Sequence, residues 1–216
     1  MCGICGKLDK NSLCNKCKIR LEKNALNKIE NYKNNSSFFD EHIYLFQYDG
    51  EIRDTILKYK FNEKSYIYRT FLEFIKNNEK ICAQIKKYDI IMPVPISKKR
   101  FSARGYNQSS LIAKNFANML NLDYTEKVLI KFKDNKPQSE MKQDTRKSNV
   151  KGVYKVINKE KIYKKTVLII DDIFTTGNTV DECAKVLKEN DAECVGIFTL
   201  AKDWWGYFFP PSQKRT

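Results

Sequence analysis

Apolar positions beyond residue 40 follow two alternating patterns along the chain. Short, nearly continuous apolar runs, which are typical of buried strands, occupy residues 42–48, 89–96, 166–171 and 193–200. Apolar side chains at helical spacing occupy residues 51–61, 66–85, 109–120 and 179–190. Because nearly all-apolar strands alternate with helices, the pattern predicts an α/β domain with a parallel sheet covered on both faces.

The remaining segments are more polar. Residues 19–33 carry apolar side chains at mixed helical spacings and predict a short polar helix, and residues 34–37 (NNSS) are typical of a linker. Residues 124–131 are a further candidate strand. Residues 132–151 lack any apolar period and predict a long charged loop. Loops of this length in a compact domain are usually functional lids or disordered.

Four of the seven cysteines form two CxxC pairs near the start of the chain: Cys2, Cys5, Cys14 and Cys17. Zinc is commonly held by four thiolates in a tetrahedron, and paired CxxC turns supply that geometry. Two such pairs within a short segment make a redox motif or incidental thiols poorer explanations. We expect a structural site, because four protein ligands leave no open coordination position. The first 18 residues contain little that could form a core.

The charge balance favours polyanionic partners, because 40 basic and 26 acidic side chains give a formal net charge of +14. Residues 127–165 alone hold 13 basic and 4 acidic side chains. This segment is either a polyanion contact or a solvated basic face, and a general Lys and Asn bias contributes to the excess. No apolar run is long enough for a membrane span, and the N-terminus lacks a signal-peptide pattern. We therefore expect a cytoplasmic protein without membrane insertion.

The segment TVLIIDDIFTTGNT (residues 166–179) joins an apolar strand to Asp171 and Asp172 and then to hydroxyls and a glycine. Ligands bind beyond the carboxyl ends of strands in parallel sheets. Thr175–Thr179 lead into a helix, where N–H groups, hydroxyls and a glycine can form a phosphate cradle. The carboxylates can accept hydrogen bonds from sugar hydroxyls or help to hold Mg²⁺. A sugar phosphate accounts for both halves of the segment.

Two simpler explanations of this segment fit less well. A P-loop needs Gly-Lys followed by Ser or Thr, whereas Gly177 is followed by Asn178 and Thr179. A plain N-cap would explain one threonine but not the paired carboxylates.

The strand, the Asp-Asp pair and the Thr-Thr-Gly-x-Thr loop resemble the phosphoribosyl pyrophosphate (PRPP) motif of type I phosphoribosyltransferases. The wider chain resembles the ComF family of competence proteins, which join a four-cysteine zinc module to such a domain. Three further segments carry this resemblance: residues 48–61, 92–108 and 138–154. The resemblance implies a type I phosphoribosyltransferase-like parallel sheet flanked by helices, with a small N-terminal zinc module. We accordingly divide the chain into a zinc module with its connecting helix (1–36), a phosphoribosyltransferase-like domain (37–202) and an aromatic tail (203–216).

The resemblance also implies roles for individual residues. Asp171 and Asp172, the expected catalytic pair, would bind the ribose hydroxyls, and Thr175–Thr179 would bind the 5′-phosphate. Backbone amides after the strand at 89–96 would bind pyrophosphate with Mg²⁺, assisted by cations that include Lys99. The predicted PRPP-binding residues are Val94, Pro95, Ile96, Ser97, Lys98, Arg104, Asp171, Asp172, Thr175, Thr176, Gly177, Asn178 and Thr179. The cations have two other possible roles, nucleic-acid contact and plain solvation, and Asn107 could be only a helix N-cap.

Three functional hypotheses follow from the resemblance. The first is a PRPP-binding phosphoribosyltransferase-like protein that handles single-stranded DNA in the cytoplasm during natural transformation, with other DNA-uptake proteins as partners. The second is a non-catalytic DNA-binding factor that uses PRPP or a nucleotide as a regulatory ligand. The third is a salvage phosphoribosyltransferase with a small-molecule acceptor. No feature of the sequence specifies the acceptor. The candidate DNA contacts are Lys142, Arg146, Lys147 and Lys151.

Overall fold

A computed structural model describes residues 1–33, 36–61, 64–133 and 152–204 of the chain. The helices are α1 (Asn15–Asn24), α2 (Gly50–Phe61), α3 (Ile67–Lys76), α4 (Glu79–Ile85), α5 (Lys98–Arg104), α6 (Gln108–Leu120) and α7 (Asn178–Lys188), with a short 3-10 helix at Lys159–Lys161. The strands are β1 (Lys28–Asn31), β2 (Glu41–Gln47), β3 (Ile90–Pro93), β4 (Asp123–Tyr124), β5 (Leu129–Lys131), β6 (Tyr154–Val156), β7 (Thr166–Phe174) and β8 (Cys194–Lys202). Within these ranges, no helix combines the length and apolar character needed to cross a bilayer.

Six strands form the main sheet in the order β1-β2-β8-β7-β3-β4. The pairs from β2 to β4 are parallel, and only the edge strand β1 runs antiparallel to its neighbour. The predicted α/β class with a mostly parallel sheet is confirmed. Strands β5 and β6 form a separate antiparallel pair, and in the sequence they lie on either side of the segment predicted as a charged loop.

The two faces of the sheet are packed against different elements. Leu168 and Ile170 of β7 share one apolar core, called the main core below, with α2, α3, α4 and α6. Val167 and Ile169 share the other core with α7 and the β5–β6 pair. Asp171 and Asp172 follow these apolar positions towards the end of β7.

The predicted polar helix over residues 19–33 is wrong in its second half. Helix α1 already ends at Asn24, because Ala25 is extended and Asn27 takes the left-handed conformation with φ 48°. The chain then enters β1, where Ile29 packs against the main core. The predicted helix over residues 66–85 is interrupted in a similar way. Asn78 begins α4 by accepting a hydrogen bond from the Ile81 N–H at 3.1 Å.

The cysteine-rich start of the chain contributes to the main core, contrary to the expectation from its composition. Ile4, Leu13 and Leu21 are buried in that core. Polar contacts with α3 reinforce the packing: the backbone N–H of Leu13 donates to the Glu73 carboxylate at 3.0 Å, and the Ser12 hydroxyl donates to the same group. Apolar side chains that are too few for an independent core therefore complete a larger one. The limits of the three proposed parts of the chain remain predictions.

Candidate functional site

A cleft of about 420 Å³ opens where β3 and β7 end. This is the edge at which parallel α/β sheets bind their ligands, because loops from several strands converge there. Of the thirteen residues predicted to bind PRPP, all line this cleft except Ser97 and Lys98. The structure therefore brings together residues from the segment after β3 and from the β7–α7 loop.

Helix α5 explains the two exceptions. The Ser97 side chain is buried and begins the helix by accepting a hydrogen bond from the Arg100 N–H at 3.3 Å. Lys98 points to solvent, as does the other candidate cation Lys99. Arg100 and Arg104 line the cleft instead, because residues four apart lie on the same face of a helix. This spacing is visible in the sequence, so Arg100 could have been predicted there.

The β7–α7 loop combines a left-handed glycine with the start of a helix. Gly177 has φ 76°, and a Cβ atom at this position would lie 2.6 Å from the Phe174 ring, so glycine is required for two reasons. The loop leads directly into α7, whose first N–H groups lack intrahelical partners. The Thr176 hydroxyl oxygen is buried and has no hydrogen-bond partner among the described residues. Buried polar atoms are normally paired, so this oxygen fits a ligand that binds in the loop.

The two carboxylates have different surroundings. Asp172 is 6% exposed, and its Oδ1 lies 2.9 Å from Lys60 Nζ. Asp171 Oδ1 accepts hydrogen bonds from the Ser109 hydroxyl at 3.0 Å and from the Asp172 N–H at 2.9 Å. Burial and then the neighbouring Asp172 charge raise the pKa of Asp171 to about 7. Lys60 thus compensates the charge of Asp172, and the raised pKa of Asp171 reduces the negative charge that Asp171 carries near neutral pH.

Gln108 connects the two ends of the cleft. Its buried side chain accepts a hydrogen bond from Arg104 Nη1 at 3.0 Å and donates one to the Lys60 carbonyl at 3.4 Å. Burial lowers the pKa of Arg104, and the Asp172 charge opposes that shift. The sequence placed Gln108 in the segment 92–108 that carries the family resemblance, but it did not indicate the partner Lys60, which lies 48 residues away.

Asn107 serves as an N-cap and also holds the segment after β3. Its Oδ1 accepts from the Ser109 N–H at 3.1 Å at the start of α6. Its Nδ2 donates to the Val94 carbonyl at 3.0 Å. One side chain therefore positions the segment predicted to bind pyrophosphate relative to α6.

The β5–β6 pair forms one side of the cleft and continues onto the surface. Lys131 and Tyr154 line the cleft, with the ammonium 5.5 Å from the ring centre. Outside it, Phe132 is 45% exposed, and Lys133 and Lys155 lie 5.3 and 5.4 Å from its ring centre. The predicted DNA contacts Lys142, Arg146, Lys147 and Lys151 lie outside the described residues, as does the aromatic tail beyond residue 204.

The four N-terminal cysteines converge as predicted. Their sulfur atoms lie within 4.8 Å of one another, and Cys5 Sγ and Cys14 Sγ are 3.9 Å apart. Tetrahedral zinc with bonds of about 2.3 Å requires sulfur separations of about 3.8 Å. Arg20 Nη2 lies 3.3 Å from Cys17 Sγ and offsets part of the thiolate charge. The cluster could therefore hold a metal such as zinc, and among the described residues it is the only group of three or more such ligands.

The single histidine is structural. His42 is fully buried, stacks on Phe174 at 4.3 Å and shares a 2.9 Å hydrogen bond with the Thr199 hydroxyl. Burial, followed by the Lys202 charge, lowers its pKa to about 3. It packs against Phe174 at the end of β7 and is not among the residues that line the cleft.

Known proteins match different parts of the chain. Residues 107–210 match the family of phosphoribosyl transferase domains. Competence protein F of Haemophilus influenzae is 25% identical over 168 residues, which is 76% of this chain and 73% of that protein. DNA utilization protein YhgH of Escherichia coli is 28% identical over 114 residues, which is 53% of this chain and about half (49%) of that protein. A hypoxanthine phosphoribosyltransferase from Staphylococcus aureus is similar in structure over 60% of this chain and 64% of its own, with 19% identity and a TM-score of 0.37.

Proposed function

Because the chain is a homologue of the ComF competence proteins and carries a phosphoribosyl transferase domain, we propose that it binds PRPP and acts in cytoplasmic handling of single-stranded DNA during natural transformation. The observation that carries the ligand assignment is the loop at the end of β7. There a glycine in the left-handed conformation, a helix start and a buried unpartnered hydroxyl lie beside two carboxylates. A sugar phosphate uses all of these groups.

Each part of PRPP has complementary groups in the cleft. Thr175–Thr179 would hold the 5′-phosphate at the start of α7. Asp171 and Asp172 would accept hydrogen bonds from the ribose hydroxyls. Backbone groups of residues 94–96 and the guanidinium groups of Arg100 and Arg104 would hold the pyrophosphate, since guanidinium forms paired hydrogen bonds with phosphate oxygens.

Mg²⁺ fits this site mainly as a companion of the ligand. Asp172 is paired with Lys60, and Asp171 Oδ1 already accepts two hydrogen bonds. Mg²⁺ is often bound by one or two carboxylates together with substrate phosphates, so the remaining carboxylate oxygens suit an ion that arrives with pyrophosphate. When bound, it would neutralise charge on the leaving pyrophosphate. The zinc assignment for Cys2, Cys5, Cys14 and Cys17 likewise belongs to this proposal.

In the proposed reaction a nitrogen nucleophile displaces pyrophosphate at the anomeric carbon of the sugar. The protein would contribute orientation and charge stabilisation. The loop would fix the 5′ end of the sugar phosphate. The carboxylates would fix the ribose and stabilise its developing positive charge, and Arg104 would stabilise the negative charge that develops on the leaving pyrophosphate.

A titration with PRPP, with and without Mg²⁺, tests the ligand assignment. We expect saturable binding by the wild type and its loss in Asp171→Asn combined with Asp172→Asn. Asp54→Asn is the matched control, because this carboxylate is 62% exposed on α2 and is not among the residues lining the cleft. Retention of wild-type binding by the double variant would refute the site.

A screen for pyrophosphate release with candidate acceptors separates an enzyme from a regulatory site. Release that depends on one acceptor would establish a transferase and identify its acceptor. Binding without release for every acceptor would favour the non-catalytic alternative, in which PRPP or a nucleotide regulates DNA binding.

The exposed Phe132 with its two flanking lysines supports the DNA part of the proposal. An aromatic ring that can stack on a base, between cations that can contact phosphates, suits single-stranded nucleic acid. We expect Phe132→Ala to weaken binding of a labelled oligothymidine about tenfold, in line with the cost of losing one stacked base. Lys155→Ala should lower the affinity and flatten its salt dependence.

Phe38→Ala is the matched control for the DNA experiment. Phe38 is also 45% exposed and also has a lysine, Lys185, at 5.8 Å from its ring centre, but it contacts Asp181 of α7. Equal losses for both phenylalanine variants would show that exposed aromatics bind nonspecifically. No loss for Phe132→Ala would exclude the β5–β6 surface.

A further inference from the structure

A lysine on α2 provides a built-in cation at the ribose end of the cleft. Lys60 Nζ lies 2.9 Å from Asp172 Oδ1, and the two side chains are only 19% and 9% exposed. Such a sheltered ion pair is screened by salt much less than a surface pair. The match to phosphoribosyl transferase domains begins at residue 107 and therefore does not include Lys60.

The backbone around Lys60 is tied to the segment that supplies the pyrophosphate-side cations. The Tyr59 hydroxyl donates to the Gln108 carbonyl at 2.8 Å, and the Tyr106 hydroxyl donates to the Tyr59 carbonyl. Gln108 joins Arg104 to the Lys60 carbonyl, and the Arg104 guanidinium lies 5.0 Å from the ring centre of Phe61. These contacts fix the backbone at the end of α2, so the Lys60 side chain starts from a defined position near Asp172.

The ion pair also affects which cations can bind at the carboxylates. Asp172 and Asp171 both already have protein partners. A divalent ion would have to compete with a lysine for Asp172, and Mg²⁺ gives up its water reluctantly. Lys60 therefore occupies the position at which a metal bound by the protein alone would otherwise neutralise the carboxylates.

We propose that Lys60 is a positioning residue that orients Asp172 for the ribose and provides the cationic charge at this end of the cleft, so that Mg²⁺ enters only with the pyrophosphate. This inference rests on the proposed function, because it assumes a sugar phosphate in the same cleft. Without Lys60, the negative charge of Asp172 would repel an anionic sugar phosphate at this end of the cleft. One unit charge within roughly 10 Å of a phosphate, at an effective dielectric constant of about 20, changes affinity by on the order of tenfold.

Ribose 5-phosphate is the probe, because it lacks pyrophosphate and so reports on the ribose end without Arg104 or Mg²⁺. We expect Lys60→Met to weaken its binding about tenfold or more in metal-free buffer, measured by calorimetry. Lys60→Arg keeps the charge and should remain within about threefold of the wild type. Lys58→Met is the matched control, because Lys58 lies two residues away on the exposed face of α2. A structural role alone would not give rescue by charge.

Thermal denaturation with millimolar Mg²⁺ and no sugar phosphate gives a second readout. The wild type should show no Mg²⁺-dependent rise in melting temperature, whereas Lys60→Met should show one, because the opened carboxylates can then bind the ion. Wild-type affinity for ribose 5-phosphate in Lys60→Met, or an equal Mg²⁺ effect in both proteins, would overturn the inference. If the wild type binds neither ribose 5-phosphate nor PRPP, the proposed function itself fails. Should Lys60→Met not fold, Lys60→Gln and Lys60→Arg provide the same comparison of neutral and charged side chains.

Discussion

Replacing Asp171 by Asn should stabilise the ligand-free protein at alkaline pH, although it removes a residue of the proposed site. Burial and the Asp172 charge raise the pKa of Asp171 to about 7. In the unfolded chain the pKa of an aspartate is about 3.9, as in model peptides. Between these pH values the folded state holds a proton that the unfolded state has lost. The free energy of unfolding therefore falls by about 1.4 kcal/mol per pH unit as the pH rises, and by at most about 4 kcal/mol in total.

The asparagine variant escapes this loss. Its Oδ1 can still accept the hydrogen bonds from the Ser109 hydroxyl and the Asp172 N–H, and the side chain has no ionised form. Near pH 4 the two proteins should have similar stability, because aspartic acid is then protonated in the folded state. Above pH 7 the variant should be more stable by up to about 4 kcal/mol.

Urea denaturation of both proteins between about pH 4.5 and 8.5, at steps of about half a pH unit, measures the difference in their free energies of unfolding directly. The buffer must lack Mg²⁺ and sugar phosphates, and it must not contain a chelator that would disturb the cysteine cluster. The buried His42, whose pKa is lowered to about 3, also makes stability depend on pH, but equally in both proteins. A stability difference that does not change with pH would refute the raised pKa of Asp171.

Three further perturbations have defined outcomes. Gly177→Ala should abolish PRPP binding and reduce the free energy of unfolding by about 2 kcal/mol or more, because left-handed strain costs about 1–2 kcal/mol and the new Cβ atom meets the Phe174 ring. Gly152→Ala is the control and should cost only the strain energy, because Gly152 has φ 63° and open space around it. Equal effects of the two substitutions, in calorimetry and in PRPP binding, would contradict the steric argument. Chelation of the metal, or Cys5→Ser at the exposed cysteine, should lower the melting temperature of the whole protein, because Cys2 and Cys17 lie in the main core. An unchanged melting curve after metal loss would show that the cluster is not needed for that packing. Gln108→Leu should weaken PRPP binding several-fold and ribose 5-phosphate binding less, since Arg104 loses its hydrogen-bond acceptor. Titrations that show equal losses for both ligands would argue against a selective role of Gln108 at the pyrophosphate end.

Much of the fold was predictable because its central elements are determined by local patterns. The apolar runs that became β2, β3, β7 and β8 must be buried on both faces, and a parallel sheet with helices on each side does this. The four cysteines and the Asp171–Thr179 segment were equally visible, since a metal cluster or a phosphate loop requires particular residue types at short, regular spacings. The errors fell where local pattern was ambiguous, as in residues 25–33, where Asn27 turns the chain into an edge strand.

The candidate site was predictable only as far as its residues are close in sequence. The sequence by itself indicated the β7–α7 loop, the carboxylates and the cysteine cluster, because each of these units uses neighbouring residues. The tertiary structure decided that Gln108 joins Arg104 to α2 and that Lys60 is the partner of Asp172. Such pairs are separated by many residues and leave no periodic pattern. Their charges meet only when the packing of α2 and α6 on the sheet brings the two helices to the end of β7.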